Sequence, residues 1–488
     1  MDFNTFKKLS KDYKTIQVYK QILADLLTPI SAYMRLAKKS EYSFILESVD
    51  QGEGYGRYSF IGKNPHLIIK SDNNLTSIFK NGSWESSSDS FLSILRNVQK
   101  RYHAPKLSGI PNFTGGLVGF MGYESIIWVE DIPIYEKDEL QCPDAMFMLF
   151  HEIIAFDHLK NNIILFSNVQ IEEGIDIKKA YKDANLRIDE MGEDLHIDID
   201  YQTPARFKQS ELQSNFTRRE FENAIKKAKE HINAGDVFQL VLSQRFKRNS
   251  VANPLTIYRA LRSINPSPYM FHLKMGDFEI IGASPELLVK VEDQEIEIRP
   301  IAGTRQRGLD AESDKRLAKN LLADEKERAE HLMLVDLGRN DVGRAAEFDS
   351  VHVKDFMVVE YYSHVMHIVS DIRGKLRDGK DIFDALYSGF PAGTLTGAPK
   401  IRAMEIIHDL EPTRRGVYSG AIGYFDFTGD MNTCIAIRTM VMKDDKVYFQ
   451  SGAGIVYDSN PQKEYEETED KAKAINAAID LAENGLVK

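Results

Sequence analysis

Cysteine is nearly absent from this sequence, since Cys142 and Cys434 are the only two in 488 residues. This scarcity excludes a disulfide framework and a cysteine-rich zinc site. Long apolar runs are missing as well, because none approaches the roughly 18 residues that a membrane-spanning helix needs. The chain starts with MDFNTFKKLSKDYKT, which is polar and unlike a signal peptide. We therefore expect a cytoplasmic protein that does not enter a membrane.

Positive charge is also in deficit. The chain has 62 Lys and Arg against 73 Asp and Glu, a net charge of −11, which argues against a nucleic-acid-binding protein. Phosphate-binding loops are missing too, since no glycine-rich stretch ends in GK[ST] and no G-x-G-x-x-G joins a strand to a helix. The 43% of hydrophobic residues is enough for the cores of roughly two or three ordinary domains.

A polar, aperiodic stretch over residues 192–216 predicts a boundary within the chain. Before it the sequence mostly alternates between apolar and polar residues, as strands do. After it Thr217 and Glu220 form a capping box that starts a helix, and strands and helices then mix to the end. We predict a sheet-rich N-terminal domain over residues 1–200 and a mixed domain over residues 217–488.

Two Glu-x-x-Glu pairs are the most informative positive feature of the sequence. Glu327 with Glu330, and Glu464 with Glu467, lie in helical-looking stretches, so each pair offers two carboxylates on one helix face. Four carboxylates gathered at one point would repel unless a cation neutralised them, and oxygen ligands favour Mg²⁺. The alternative is that both pairs are ordinary solvated helix faces.

Other polar residues sit in apolar or glycine-rich surroundings. Arg438 alternates with apolar residues in a strand-like run, so its guanidinium needs either a substrate carboxylate or a structural acid. His367 shares such a pattern and is either a general acid or a satisfied core residue. Gly452-Ala453-Gly454 ends a strand and could bring backbone N–H groups to an anion, or it could be a simple turn. On the last predicted helix Lys471 shares the face of Glu464 and Glu467.

The motifs together resemble a known family. RPIAGTRQRG, EHLMLVDLGRND, YSHVMH, FPAGTLTGAPK, SGAG and YEETEDKA, with Arg438, are similar to the signature series of the chorismate-utilising enzymes, and in detail to their anthranilate synthase branch. The resemblance covers about residues 40–475. It implies a mixed α+β fold in which a large antiparallel sheet carries helices on its outside, interlocked with the sheet-rich N-terminal domain.

The resemblance also assigns roles to residues. It implies that Mg²⁺ is held over the ring carboxylate of chorismate by Glu330 and Glu467, with Glu327 and Glu464 beside them. It implies an acid/base carboxylate at Glu286, a proton donor at His367 and a pocket hydroxyl at Thr394. The implied contacts to chorismate are Gly303, Thr304, Tyr418, Arg438, Gly452, Ala453 and Gly454, and Lys471 is implied to lie near a substrate carboxylate.

The implied reaction is a lyase reaction that forms anthranilate, the first step of tryptophan biosynthesis. Ammonia adds at C2 of chorismate with loss of the C4 hydroxyl, and pyruvate is then eliminated. Two uncharged residues separate this branch from its siblings. Isochorismate and salicylate synthases place a water-activating Lys where this chain has Gln239, and aminodeoxychorismate synthases commonly place a nucleophilic Lys where it has Ala302. Direct addition of ammonia is therefore expected.

A second resemblance concerns regulation. FILES, with Glu47 and Ser48, and NPSPYMF, with Asn265, Pro268, Tyr269 and Met270, are similar to the feedback pocket that binds L-tryptophan in anthranilate synthases. The prolines stiffen the loop, and the Tyr and Met side chains offer apolar faces to an indole. The alternative is a packed seam between domains, because aminodeoxychorismate synthases can carry similar pockets.

The source of ammonia is expected to lie outside this chain. A class I glutaminase needs a nucleophilic cysteine in a glycine-rich elbow, and neither Cys142 nor Cys434 has that setting. We therefore expect a separate class I glutaminase subunit as partner, with free ammonia as a substitute. Aminodeoxychorismate synthase, or a tryptophan-binding regulator that has lost catalysis, remain the alternatives.

Overall fold

The fold is taken from a computed structural model that describes residues 1–49, 56–133, 135, 137–199, 207, 209–362 and 365–487 of the chain. Within these residues, no helix is both long and apolar enough to span a bilayer. The predicted boundary at residues 192–216 lies partly outside the described residues. So does His364, the other histidine of the YSHVMH motif.

The described residues form eleven α-helices and two short 3-10 segments, at Tyr123–Trp128 and Gly393–Leu395. The α-helices are α1 (Phe3–Leu9), α2 (Pro29–Leu36), α3 (Phe91–Arg101), α4 (Ile177–Asp194), α5 (Arg218–Ala234), α6 (Pro254–Ile264), α7 (Ala311–Ala323), α8 (Glu325–Ala345), α9 (Ile382–Gly389), α10 (Lys400–Leu410) and α11 (Pro461–Glu483).

The strands number 24 in the same part of the chain. They are β1 (Thr15–Leu23), β2 (Tyr42–Glu47), β3 (Tyr58–Lys63), β4 (Leu67–Asp72), β5 (Leu75–Lys80), β6 (Ser83–Ser87), β7 (Gly116–Met121), β8 (Ala145–Phe150), β9 (Glu152–Asp157), β10 (Asn162–Gln170), β11 (Gln213–Ser214), β12 (Gln239–Asn249), β13 (Tyr269–Met275), β14 (Phe278–Ser284), β15 (Leu287–Glu292), β16 (Glu295–Ile298), β17 (Ile301–Gln306), β18 (His352–Tyr361), β19 (Val365–Lys375), β20 (Gly397–Ala398), β21 (Ala421–Asp426), β22 (Met431–Ile435), β23 (Thr439–Lys443) and β24 (Lys446–Ile455).

These strands build two large antiparallel sheets. The first runs β1-β10-β9-β3-β2-β13-β14-β23-β24-β12-β11, with β20 also paired to β12. The second runs β17-β19-β16-β15-β22-β21-β7-β8-β4-β5-β6, with β18 also paired to β19. Each sheet joins strands from both halves of the chain, through the β2–β13 pair in one and the β7–β21 pair in the other. The mixed α+β prediction is confirmed, and the two predicted domains share both sheets.

The hydrophobic core follows from this layering. A cluster rich in phenylalanine, including Phe44, Phe120 and Phe271, lies between the two sheets. A second cluster fills the outer face of the first sheet, where α4, α6 and α11 pack, and a third fills the outer face of the second sheet under α3, α8 and α9. The two sheets are therefore held face to face, with helices outside, and the strand ends between them are left to form sites.

Local signals placed the important helices correctly. Thr217 and Glu220 cap α5 reciprocally, and Gly235 ends it with a φ of 84°. Asn460 caps α11 by accepting hydrogen bonds from the backbone of Gln462 and Lys463, and Pro461 follows at the first helical position. The Glu-x-x-Glu pairs therefore do lie on helices, one on α8 and one on α11.

Two sequence expectations were wrong. The Gly, Pro and Thr content of RPIAGTR predicts a loop, but residues 301–306 form β17, which pairs with β19 and carries a register shift at Gly303. Arg438 was expected inside a strand, but it lies between β22 and β23 with a φ of +49°. In both cases long-range pairing decided the outcome, which local pattern cannot show.

Candidate active site

Most of the predicted site residues line one cleft with a volume of about 810 Å³. It lies where β12 and β24 of the first sheet and β17 and β19 of the second approach α11. Its walls include Glu286, Thr304, His367, Thr394, Tyr418, Arg438, Gly452, Gly454, Glu467 and Lys471. Residues from eight parts of the chain, far apart in sequence, thus converge on a space of the size that small-molecule sites have.

The glycine-rich part of the cleft belongs to β24, which continues through Gly452 and Gly454 rather than turning there. Lys471 on α11 donates a hydrogen bond to the Gly452 carbonyl oxygen at 2.9 Å and pairs with Glu467 at 2.7 Å. A Cβ at Gly452 would lie 2.8 Å from the Leu242 carbonyl oxygen and 3.0 Å from the Tyr418 hydroxyl. Only glycine therefore fits between this strand and the tyrosine.

Glu286 is a carboxyl group of the cleft with a raised pKa. It lies between β14 and β15, and the Thr394 hydroxyl donates a hydrogen bond to it at 3.2 Å. Burial raises the pKa of Glu286, while Thr394, Arg438 and Lys471 lower it by less. A carboxyl group whose pKa is raised in a cleft is suited to give and take protons near neutral pH.

His367 is oriented by the backbone of β17. Its Nδ1 lies 2.9 Å from the Gly303 carbonyl oxygen and 3.1 Å from the Thr304 hydroxyl, so Nδ1–H donates to the carbonyl, and no described residue bonds to Nε2. Burial lowers the pKa of His367; the Gly303 hydrogen bond opposes this effect in part, and the charge of Arg438 adds a smaller lowering. The ring is therefore neutral at neutral pH, and it needs anionic charge nearby to become a proton donor.

Arg438 is one of the positively charged residues of the cleft wall, together with Lys471. Its side chain is open to the cleft, at the break between β22 and β23. Desolvation by the surrounding protein lowers the pKa of Arg438, and the carboxylate of Glu286 opposes this effect. A guanidinium that faces a cleft while partly desolvated favours binding of an anion such as a carboxylate.

Of the four glutamates in the two Glu-x-x-Glu pairs, only Glu467 lines the cleft, and Glu330 on α8 is close enough to interact with its charge. Partial desolvation raises the pKa of Glu330, and the carboxylates of Glu327 and Glu467 raise it further. Desolvation likewise raises the pKa of Glu464, to which the Glu467 carboxylate adds. Residues of α8 and α11 are thus close enough to repel one another, which is the charge arrangement that a hard cation relieves.

The carboxylates also have cationic neighbours. Glu327 pairs with Arg305 at 3.2 Å, and Glu467 pairs with Lys471. In the described part of the chain, no three acidic, histidine or cysteine side chains converge closely enough to hold a metal ion. The oxygen-only donors fit Mg²⁺ in chemistry. Gly303 lets the Glu327 carboxylate lie close to β17, since a Cβ there would lie 3.0 Å from one of its oxygens.

Arg415 is a residue that sequence reasoning missed. It is completely buried, and its guanidinium donates to both carboxylate oxygens of Glu411 and to the carbonyl oxygens of Val241 and Leu395. Val241 and Leu395 both line the cleft. Arg415 therefore fixes the backbone of two cleft walls from behind. The sequence offers only the motif PTRRG as a signal, and it does not say which arginine turns inward.

The predicted tryptophan-binding residues fall into two places. Glu47, Ser48, Pro268, Tyr269 and Met270 line a separate cavity of about 530 Å³ between the sheets. Asn265, by contrast, ends α6 and lines the 810 Å³ cleft. In the cavity the Ser48 hydroxyl is buried and finds no hydrogen-bond partner among the described residues.

The Glu47 carboxylate already has hydrogen-bonding partners within the protein. It accepts a hydrogen bond from Tyr258 at 2.6 Å and pairs with Arg262 at 3.0 Å, both on α6. This carboxylate therefore ties the wall of the 530 Å³ cavity to the helix whose end reaches the cleft. Ser48 is left as the polar group of the pair that is free to meet a ligand.

Comparison with known proteins agrees with this geometry. Residues 41–477 match the family described as chorismate binding enzyme, so the chain belongs to that family. Within it, the chain is 46% identical to anthranilate synthase component 1 of Acetivibrio thermocellus over 485 residues, 98% of this chain and 97% of that protein. It is 45% identical over 484 residues to anthranilate synthase component 1 of Aquifex aeolicus, with the same coverage. The chain is thus placed in the anthranilate synthase component 1 branch.

Solved structures support the same placement. The crystal structure of anthranilate synthase component I from Streptococcus pneumoniae superposes with a TM-score of 0.77 and 38% identity, covering 93% of this chain and 99% of that one. The isochorismate synthase MenF of Escherichia coli has a TM-score of 0.69 at 17% identity, with 98% of each chain covered. That second likeness shows a shared fold alone.

Proposed function

We propose that this chain is the chorismate-binding subunit of a cytoplasmic anthranilate synthase, converting chorismate and ammonia to anthranilate and pyruvate. The observation that carries the proposal is that one cleft gathers a raised-pKa carboxyl group, an oriented imidazole and a free guanidinium in a chain of this branch. Positive groups bind the two carboxylates of chorismate, and the acid/base groups stand beside the ring.

The residues of the cleft have separate roles in binding and in proton transfer. Arg438 and the backbone of Gly452 and Gly454 bind substrate carboxylates, and the Tyr418 hydroxyl beside Gly452 orients the bound molecule. Glu286 moves protons at the ring. His367 protonates the departing C4 hydroxyl once the negative charge of the substrate has raised its pKa.

Mg²⁺ is the cofactor that the carboxylate pairs imply. Glu330 and Glu467 would hold it, with Glu327 and Glu464 beside them. When bound, the cation neutralises the ring carboxylate and keeps the substrate in place. Arg305 pairs with Glu327 at 3.2 Å and Lys471 with Glu467 at 2.7 Å, so a bound cation would compete with these two cationic side chains.

The choice of nucleophile rests on two uncharged residues. Ala302 is buried on the cleft wall, and its methyl side chain cannot attack the ring as a lysine at this position could. Gln239 lies beside the glycine strand, its Nε2 3.0 Å from where a Cβ on Gly454 would be. A glutamine cannot deprotonate water, so ammonia, which needs no base to attack, is the nucleophile.

Regulation by L-tryptophan is the second part of the proposal. The 530 Å³ cavity is lined by the buried Ser48 hydroxyl, the Glu47 carboxylate, the Tyr269 ring and the Met270 side chain. Such a space suits an indole with a polar end. Tryptophan bound there inhibits only if it prefers an inactive arrangement of the sheets, as any allosteric ligand must.

The test is to incubate the purified chain with chorismate, Mg²⁺ and ammonium and to identify the product by chromatography. Anthranilate is expected; aminodeoxychorismate, isochorismate or no product would overturn the proposal. Glu286→Gln should lower the turnover number by about 100-fold or more, because a positioned acid/base group contributes that much. Glu312→Gln, at an exposed position of α7, is the matched control and should match the unaltered protein.

A further inference from the structure

A buried ion pair joins α8 to the start of α10. The Lys400 ammonium lies 2.9 Å from a carboxylate oxygen of Asp341, and the two side chains are only 8% and 7% exposed. Neither residue lines the 810 Å³ cleft. Because desolvation of the two charges offsets their attraction, such a pair adds little to stability and is better suited to fixing where its two helices lie.

The first position of α10, which Lys400 occupies, is an unusual place for a cation. The N-terminus of a helix carries partial positive charge from its unpaired backbone N–H groups, so anionic side chains are favoured there and cationic ones are not. No side chain caps this helix, since Pro399 stands at the N-cap position. The local chemistry of α10 therefore does not account for Lys400, and the partners of its ammonium outside the helix do.

The Lys400 ammonium also ties together the two ends of one segment. It donates a second, longer hydrogen bond, at 3.4 Å, to the carbonyl oxygen of Gly389, the last residue of α9. The last carbonyl groups of a helix have no partner inside the helix, and a cation is favourable beside them. Residues 390–399, which join α9 to α10, are thus closed at both ends by one side chain.

This segment presents Thr394 to the cleft. Thr394 lines the cleft, and its hydroxyl donates to a carboxylate oxygen of Glu286 at 3.2 Å. The later part of the segment is fixed by strand pairing, since Gly397 and Ala398 form β20 against β12. Residues 390–394, by contrast, belong to no strand. Their placement therefore depends on what packs against them and on how the segment is closed.

The helix that packs against residues 390–394 is α8. A Cβ at Gly393 would lie 2.0 Å from a methyl carbon of Leu337, so the backbone of the segment touches α8 one turn before Asp341. A cavity of about 40 Å³ lies at this contact, and Asp341, Thr394 and Glu286 all line it. The ion pair is thus next to the two side chains whose hydrogen bond the proposed chemistry uses.

We propose that Asp341 and Lys400 are positioning residues, which fix residues 390–394 against α8 and so hold the Thr394 hydroxyl where it donates to Glu286. This role rests on the proposed function, in which Glu286 moves protons at the ring. Neither side chain of the pair touches the substrate. Glu330, the predicted cation ligand of α8, lies about three helical turns from Asp341, so the pair acts on Glu286 and not on the cation site.

The experiment measures anthranilate formation with ammonium as the nitrogen donor. Lys400→Met should lower the turnover number by about tenfold or more, since misplacement of a group by about 1 Å can cost about 100-fold. The KM for chorismate and the Mg²⁺ concentration for half-maximal rate should stay within about twofold, because the pair does not touch the groups proposed to bind substrate and cation. An unchanged turnover number would overturn the proposal, as would a rise in both binding parameters without a fall in turnover.

Arg402→Met is the matched control. It removes a cation from the first turn of the same helix, where Arg402 forms partly exposed pairs with Asp236 at 3.1 Å and Glu405 at 2.8 Å. Loss of such pairs has little effect on structure. This variant should keep the turnover number; a loss equal to that of Lys400→Met would show that the buried pair has no special role.

A double-variant cycle with Thr394→Val separates positioning from a general loss of packing. If Lys400 acts through the Thr394 hydroxyl, the double variant Thr394→Val with Lys400→Met should turn over at the rate of Thr394→Val alone, within about twofold. Multiplied losses would mean that Lys400 acts independently of Thr394, and the proposal would be wrong.

A second variant serves if Lys400→Met does not fold. Asp341→Leu combined with Lys400→Met removes both charges together, which is often neutral for stability, whereas removal of one partner is not. This pair variant should unfold in urea near the midpoint of the unaltered protein and still lose turnover by about tenfold; full turnover would overturn the proposal. Failure of the proposed function is distinguishable, since the unaltered protein would then form no anthranilate.

Discussion

Replacing Arg415 with Met tests how the cleft is supported. Arg415 is completely buried, and its guanidinium pairs with Glu411 at 2.6 Å while holding the carbonyl oxygens of Val241 at 2.8 Å and Leu395 at 2.7 Å. Its charge also lies 4.7 Å from the centre of the Tyr123 ring. Removing one partner of a buried pair leaves the other charge uncompensated, which costs about 3–5 kcal/mol.

The residual contacts of Glu411 keep the expected loss within that range. Its carboxylate still accepts from the backbone and hydroxyl of Ser243, at 2.8 and 2.7 Å, so it is not left wholly unpaired. The two carbonyl oxygens that lose their donor lie in cleft walls, so the turnover number with ammonium should fall together with stability. Methionine is close to arginine in length, so the loss reports the charge rather than a cavity.

The assay is urea unfolding followed by circular dichroism, with Arg218→Met as the control. Arg218 forms exposed pairs with Glu222 and Glu466, and loss of such pairs costs roughly 0.2–1 kcal/mol. The free energy of unfolding should fall for Arg415→Met by several times the amount seen for Arg218→Met. Equal and small losses in the two variants would refute the view that Arg415 supports the cleft.

Three further predictions concern other parts of the molecule. Ser48→Phe fills the 530 Å³ cavity, so anthranilate formation should persist while inhibition by added L-tryptophan disappears; unchanged inhibition would remove Ser48 from the tryptophan site. Gly452→Ala places a Cβ 2.8 Å from a carbonyl oxygen, so it should lower the free energy of unfolding by about 1–3 kcal/mol and raise the KM for chorismate. Its control is Gly343→Ala, which has no described atom within 4 Å of the new Cβ and should leave stability unchanged or increase it. Burial, with a smaller effect from His66, lowers the pKa of His151 to about 3, so His151 binds its proton at a lower pH in the folded state than in the unfolded chain. The free energy of unfolding should therefore fall as the pH drops from 6.5 towards 3. In His151→Phe it should fall less steeply over the same pH range.

Local chemistry explains what could be predicted from the sequence. The cap at Thr217 and the spacing of the Glu pairs are decided within one or two helical turns, so α5 and the helical setting of the pairs on α8 and α11 were predicted from neighbouring residues alone. The motifs of the chorismate-utilising enzymes added the identity of the cleft residues. Their roles in binding and catalysis remain predictions.

Long-range pairing explains what could not be predicted. Ala302 and Thr304, on either side of the register shift at Gly303, belong to a strand because β19, more than 60 residues later, pairs with them. Asn265 lines the active-site cleft and not the 530 Å³ cavity because α6 ends between the two. Arg415 has no local signal either, since its burial depends on how the sheets assemble.

The central claim is that the Glu pairs of α8 and α11 hold a divalent cation over the chorismate site. The most direct measurement is the Mg²⁺ concentration that gives half-maximal anthranilate formation, in the unaltered protein, in Glu330→Gln, in Glu467→Gln and in the exposed control Glu325→Gln. The first two variants should need roughly tenfold more Mg²⁺ or greater, since loss of a carboxylate weakens a site built from oxygen ligands. Mg²⁺-independent activity, or the same requirement in all four proteins, would contradict the account.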